Sequence, residues 1–505
     1  MELYAFECIK NRRSSRACRG KTTFDRVGEP GPLYQNGPSN RQVSRIILLL
    51  PSNPLAFLGL QAALLPKPYK EAFANIFDAA PNIPYTDIKQ VFSEDFAGKA
   101  PEELFTSFEE TPIASASIAQ VHEAVIDRHE VLEDGSVGKR WQEKVAVKVQ
   151  KPAIRKQMEW DLWSYRSLMY LTEKLFDMPM YFVADYVSEQ MRLETDFLNE
   201  AINAQKCAAF LADTPELKDK VYVPKVYSEV ASSQRVMVME WVKGCRITDR
   251  KQIEDWGFNP REVMDTVISC MSAMTFKWGF ILLDHGLYIT LPDKFKNEYC
   301  RLWRSLFTLD TKSIEDIALK WGIQLPVDLF ASAILLRPFQ VDKRRRAAQK
   351  LAEEPPKSEY EQQVELKQRM RNMLANEALI PRELIFITRN QRMSQANNQT
   401  IGSLSPRINI TAHWAARGYR DSVAQDRSLR AEGIRGWLQD RRDNFIFGLA
   451  LLALDANFWS TRFKQWWYSN KGKGETGWED QLQAQFEKMA KDEFGIELQD
   501  DVFFG

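Results

Sequence analysis

Four short segments carry side chains able to handle a polyphosphate. In Val145-Ala146-Val147-Lys148-Val149-Gln150, strand alternation puts Lys148 and Ala146 on one face and the three valines on the other. A lysine so placed in a cleft neutralises phosphate oxygens; the bland alternative is a solvent-facing lysine on a half-buried strand. Glu194-Thr195-Asp196-Phe197-Leu198-Asn199-Glu200-Ala201 supplies three acids. Glu200, on a helix after the lysine strand, is placed to pair with Lys148 and hold it charged and oriented, with Glu194 as the second choice. Ordinary helix-surface acids would give the same pattern. Leu282-Leu283-Asp284-His285-Gly286-Leu287 is an apolar strand ending in Asp-x-Gly. Its carboxylate suits a Mg²⁺ bridging phosphates, and the glycine suits a sharp turn. Ala114-Ser115-Ala116-Ser117-Ile118-Ala119-Gln120 is a run of mostly small residues, where successive N–H groups can approach and cradle phosphates. Alone, it is a turn like many others.

The elements that must position these residues can be read from periodicity. Ala119–Asp127 and Lys144–Gln150 read as strands, with the polar stretch Arg128–Arg140 and its Asp134-Gly135 turn joining them as a hairpin. Residues 153–213 have helical spacing, Val221–Val226 and Arg235–Val242 read as two more strands, and after Gly244 the chain is nearly all helix. A small sheet-bearing lobe followed by a large helical one is the expected order. Residues 343–372 are highly charged and interrupted by Pro355-Pro356, the pattern of a solvated helix pair.

Composition excludes several function classes. Of 505 residues, 44% are hydrophobic and 27% charged, enough apolar material for a sizeable core. Lys+Arg and Asp+Glu number 68 each, which argues against a dominant nucleic-acid surface. The six cysteines form no Cys-x-x-Cys pair and the four histidines do not cluster, so neither a zinc site nor a disulfide framework is expected. The first 26 residues are basic, but Glu2, Glu7, Asp25 and the Gly/Pro-rich stretch 27–38 make them only partly like a mitochondrial presequence. The apolar stretch 46–65 is broken by Pro51, Ser52, Asn53 and Pro54, and Phe445–Leu454, too short for a span, reads as a buried helix.

Together these strings resemble the UbiB/aarF-domain (ADCK) atypical kinase-like family. The likeness runs from about Gln61 to about Gly418. It includes the Ala-rich loop with Gln120, residues 145–152, Glu194-x-Asp196, Met239-Glu240-Trp241-Val242-Lys243-Gly244, and residues 282–288, whose Asp-His-Gly-Leu-Tyr looks most like the fungal and animal mitochondrial branch. The resemblance implies an α+β, kinase-like two-lobed fold with an N-terminal helical extension and a mostly helical C-lobe. By the same resemblance the divisions fall at 1–45 (tail), 46–110 (helical extension), 111–243 (N-lobe with inserted helices), 244–342 (C-lobe) and 343–505 (C-terminal helices). It implies ATP and Mg²⁺ as cofactors, with Lys148 on phosphates, Asp284 on the metal and the Ala114–Gln120 loop over the nucleotide. Glu194 and Asp196 would be cleft acids, and Glu240 and Trp241 would lie in the interlobe hinge beside the adenine. A mitochondrial location, a lipid or membrane-surface partner and a part in lipid or ubiquinone homeostasis are further implications.

The sequence departs from this family twice. The Lys-x-Gly-Gln signature expected ahead of Leu60–Pro66 is replaced by Asn53-Pro54-Leu55-Ala56. More seriously, only Phe280-Ile281-Leu282-Leu283 join Gly279 to Asp284, where the family has a catalytic loop and a hairpin. Four residues reach at most about 14 Å, and no Asp, Asn or Glu lies between Thr266 and Leu283, so the catalytic Asp and Asn are missing. A stretch dropped in gene prediction would explain this, and so would a true variant: a non-catalytic scaffold or lipid-binding module. The first is favoured, on the expectation that deleting the cleft floor strands Asp284 and exposes apolar core.

Overall fold

The computed structural model describes residues 82–116, 118–131, 137–176, 181–323, 325–339, 381–425, 433–469 and 485. The expected basic tail, the 46–65 stretch, the altered signature at 53–56, Ser117, the Asp134-Gly135 turn and the charged 343–372 segment lie outside them. The elements are α1 (Tyr85–Asp95), α2 (Pro101–Leu104), β1 (Ser107–Phe108), β2 (Ala114–Ser115), β3 (Ala119–Val131) and β4 (Val137–Gln150). Next come α3 (Pro152–Phe176), α4 (Tyr181–Glu194), α5 (Phe197–Ala212), α6 (Pro215–Lys218) and β5 (Val236–Glu240). Then follow α7 (Arg250–Asp255), α8 (Pro260–Ala273), a π turn (Met274–Trp278), β6 (Phe280–Asp284) and β7 (Leu287–Thr290). The chain continues through α9 (Asp293–Thr308), α10 (Thr311–Lys320), α11 (Val327–Leu335), α12 (Glu383–Thr400), α13 (Arg407–Gln425) and α14 (Gly433–Ser469).

One antiparallel sheet, ordered β1-β3-β4-β5 with β2 also on β3, forms the small lobe, and β6-β7 form a separate hairpin. This is an α+β kinase-like architecture. Alternation along β4 puts Val145, Val147 and Val149 wholly inside, against Ile88, Val91 and Phe92 of α1 and Val236 and Val238 of β5. At about 1.5–3 kcal/mol per buried aliphatic side chain, this one row fixes the register. A second, larger core fills the helical lobe around Phe276, Tyr299 and Trp303.

The central hairpin is longer than its apolar pattern. Pairing continues through Asp127–Gln142, Arg128–Trp141 and His129–Arg140, where polar side chains replace buried ones. Arg128 pairs with Glu229 at 2.9 Å, and Tyr227 donates to Glu143 at 2.5 Å, so polar contacts from the 227–229 turn brace the strands beyond the core. The expected strand Val221–Val226 is absent. Only Val226 makes an isolated bridge, to Met239, because Pro224 sits within the run and cannot donate to a ladder. Phe445–Leu454 is helical, as expected, but buried on one side only: Phe447 and Leu451 are inside, while Phe445 and Leu452 are 67% and 65% exposed. No helix among the described residues is long and apolar enough to cross a membrane.

Candidate nucleotide cleft

Lys148 sits mid-sheet, with Val121 on one side and Met237 on the other. Its Nζ lies 2.6 Å from both carboxylate oxygens of Glu200 and 4.6 Å from the centre of the Phe197 ring. Both partners of this ion pair are buried. The sequence builds the pair by pinning the start of α5 to the sheet edge. Asp196 caps the helix, accepting from the Leu198 N–H at 3.0 Å. The Phe197 N–H donates to the Gln234 carbonyl at 3.0 Å, and Gln150 Nε2 donates to the Thr195 carbonyl at 2.7 Å. With its first turn fixed this way, α5 presents Glu200 to β4. Glu194, the second choice for the lysine's partner, instead ends α4, and Asp196 is committed to its cap.

The same helix holds the Asp-x-Gly turn. Asn203 Nδ2 donates to the His285 carbonyl at 3.0 Å, and Asn199 Nδ2 to the Gly286 carbonyl at 3.3 Å. These asparagines flank Glu200 at one residue before and three after, so one helix turn brackets both the lysine's partner and the β6–β7 turn. The backbone of Asp284 pairs with Leu287 across that turn. His285 Nδ1 lies 2.8 Å from the Tyr288 hydroxyl. Asn199 and Asn203 were not singled out from sequence. Their signal was a polar pair at i, i+4 flanking Glu200.

The small-residue segment folds over the same end of the sheet. Ala114 pairs with Val121 and Ser115 with Gln120, and the Ala116 N–H donates to the Ala119 carbonyl at 2.8 Å. Ala114, Val121, Lys148 and Met237 therefore form one row across four strands. Gln120 does not join them. It lies on the opposite face, fully buried, where its Oε1 accepts from the Ile83 N–H at 2.6 Å and its Nε2 lies 3.3 Å from His122 Nε2. Its place is decided by the two-residue period of β3 and the α1-side core. Burial pushes the pKa of neighbouring His122 down.

Glu240 and Trp241 divide between the faces in the same way. Glu240 follows Val145 to the back, accepting from the Tyr222 hydroxyl and from the Lys225 N–H at 3.2 Å. The Trp241 ring lies under the Lys144 ammonium at 4.2 Å, and Lys144 pairs with Glu123 at 2.6 Å. Along the Lys148 face, Val121, Ala146, Met239 and Trp241 stay only half-buried, leaving an apolar strip open beside the ion pair. Glu123 and Lys144 close its far end, and neither stood out in sequence.

The ABC1 atypical kinase-like domain is matched over residues 75–282. ABC1 family protein lscO of Purpureocillium lilacinum is 32% identical over 500 residues, covering 86% of this chain and 78% of that protein. ABC1 family protein C10F6.14c of Schizosaccharomyces pombe is 33% identical, covering 73% and 68%. This chain belongs to the ABC1 family. The AarF domain-containing protein kinase 1 of Mus musculus is also similar, at 32% identity over 56% of this chain and 55% of that protein. The UbiB/aarF resemblance of the motifs is thus the right family.

The join that leads into the floor of the cleft is short. α8 and the π turn run into β6 through Gly279 alone, in the left-handed region at φ 73°. The Leu291 N–H donates to the Gly279 carbonyl at 2.8 Å, and Ile281 is fully buried. Phe280 stacks on Phe210 at 5.3 Å. At this short connection the start of β6 is packed through Phe280 and Ile281, and α5 holds the backbone of the turn.

Proposed function

We propose that this ABC1-family protein binds ATP in the cleft between β4 and the β6–β7 turn and does not transfer its phosphoryl group. The observation that carries the reading is the buried Lys148–Glu200 pair at 2.6 Å on the helix that also hydrogen-bonds the Asp284-His285-Gly286 turn. The residues fit a nucleotide: a carboxylate-held lysine for phosphates, the Ala114–Ala116 backbone beside it, and a half-buried apolar strip for a flat base. They fit Mg²⁺ less fully. Asp284 would hold the metal, which when bound neutralises phosphate charge, but no second Asp, Asn or Glu follows from the segment 266–283. The same segment offers no general base, so the chain positions a nucleotide without activating an acceptor. A mitochondrial location and a part in lipid or ubiquinone homeostasis are proposed on family resemblance.

The test is calorimetric titration of the full chain with ATP, with and without Mg²⁺. Wild type should bind, Lys148→Ala should not, and labelled phosphate should appear on neither protein nor added acceptors. Absence of binding in the wild type would overturn the nucleotide reading. It would favour the second one, a non-catalytic scaffold, which the missing base supports.

A further inference from the structure

The outer face of α14 has no cover among the described residues, and its pattern is specific. Phe445, Leu449, Leu452, Ala456, Trp459 and Phe463 recur at steps of 4, 3, 4, 3 and 4 residues, the a/d seam of a heptad repeat. All six are exposed, the five large ones between 49% and 67%. The inner face is already satisfied: Phe447 packs edge-on to Phe307 at 5.6 Å, Leu451 and Phe458 are buried, and Asp455 accepts from Asn409. A helix apolar on both sides needs two partners, and among the described residues this one has its own lobe on one side only.

We propose that the second partner is the same helix of another copy, packed antiparallel about a two-fold axis near residue 454. The seam is palindromic about that point. Phe445 would meet Phe463 of the second copy, Leu449 would meet Trp459, and Leu452 would meet Ala456. A two-fold contact requires this self-matching. A parallel pair would instead set Ala456 on Ala456 one turn from Trp459 on Trp459, leaving a gap beside a bulge. The Arg261 guanidinium covers one face of the Trp459 ring at 4.2 Å, so the indole is held while it remains exposed. Three aromatic and three smaller residues so exposed offer on the order of 600 Å² per copy. With the flanking residues this approaches the roughly 800 Å² per partner of a standard interface. None of the six seam positions is charged, so nothing in the seam itself recruits an anionic lipid surface.

Sedimentation velocity of the full chain at micromolar concentration should show a dimer. Leu452→Glu, and separately Ala456→Glu, should give a monomer whose thermal melt stays cooperative; Ala456→Glu removes no packed side chain and guards against a folding defect. Under mild oxidation, Ala453→Cys should form a covalent dimer beyond any wild-type background. Phe445→Cys alone should not, and Phe445→Cys with Phe463→Cys should. A monomeric wild type, a dimer indifferent to both glutamates, or cross-linking of Phe445→Cys alone would overturn the proposal. So would a wild-type monomer that sediments with neutral phosphatidylcholine vesicles through Leu452.

Discussion

The roof and the floor of the cleft are built on different principles. The roof is over-determined: Lys148 is fixed by strand register, by Glu200 and by Phe197, and α5 is tied to the sheet by its cap and by two further hydrogen bonds. The floor hangs on fewer supports. One left-handed residue turns a helix into β6, and two asparagine side chains hold the far end. The contrast shows where the supports of the fold lie: the packing of β6 is carried by Phe280, Ile281 and the body of the helical lobe.

The largest effect is expected in the roof. Glu200→Ala leaves the Lys148 ammonium buried without its carboxylate, which costs about 3 kcal/mol. Lys148→Met leaves the equally buried Glu200 carboxylate without its cation and should cost a similar amount. Chemical denaturation of both variants checks both losses. Equal and small losses would mean that the pair is solvated, and the roof no better determined than the floor.

Much of the roof was legible because strand period and local strings encode it. The three valines named the buried face, and Lys148 therefore had to face the cleft. Glu200 as partner was read from its place on a helix after the lysine strand, with Glu194 as the second choice. What escaped was anything set by the opposite face or by contacts distant in sequence. Gln120 reads like part of the small-residue loop, yet its period places it with His122 and Ile83, a bond across 37 positions. Glu240 is likewise turned back by the pairing of β5. For the floor, the short join between Gly279 and Asp284 was plain in sequence, but the contacts that hold it were not. No local pattern says that Phe280 stacks on Phe210 or that Asn199 and Asn203 hold the turn.

A middle-sized effect sharpens the floor side. Gly279→Ala forces a side chain into the left-handed region, costing about 1–2 kcal/mol. The added Cβ would meet Lys296 Cδ at 3.2 Å, a flexible chain that can yield, so backbone strain sets the loss. Thermal melts should show a decrease smaller than that of Glu200→Ala. A decrease as large would mean that the helix-to-strand joint, rather than the ion pair, governs the lobe.

The smallest effect separates the two regions by the sign of their pH dependence. In the roof, burial works against the Asp95 carboxylate, but hydrogen bonds from Arg235 and Ser233 outweigh it and hold the pKa below the ordinary value. In the helix leading to the floor, burial pushes the Asp265 pKa up, more than Ser405 and Arg261 hold it down. A depressed carboxylate stabilises the fold above its unfolded pKa of about 4 and loses that contribution as pH falls through the folded value. A raised one does the reverse: protonation favours the folded state, so its contribution is full below about pH 4 and is lost as pH rises through the folded pKa. Lowering pH from 7 should therefore first relieve Asp265 and only later release the Asp95–Arg235 contact. Melting temperature against pH should lose its early gain in Asp265→Asn and its late fall in Asp95→Asn. If both variants instead remove the same limb of the curve, the two carboxylates share one environment, and the division into a fixed roof and a hung floor fails at the level of charge.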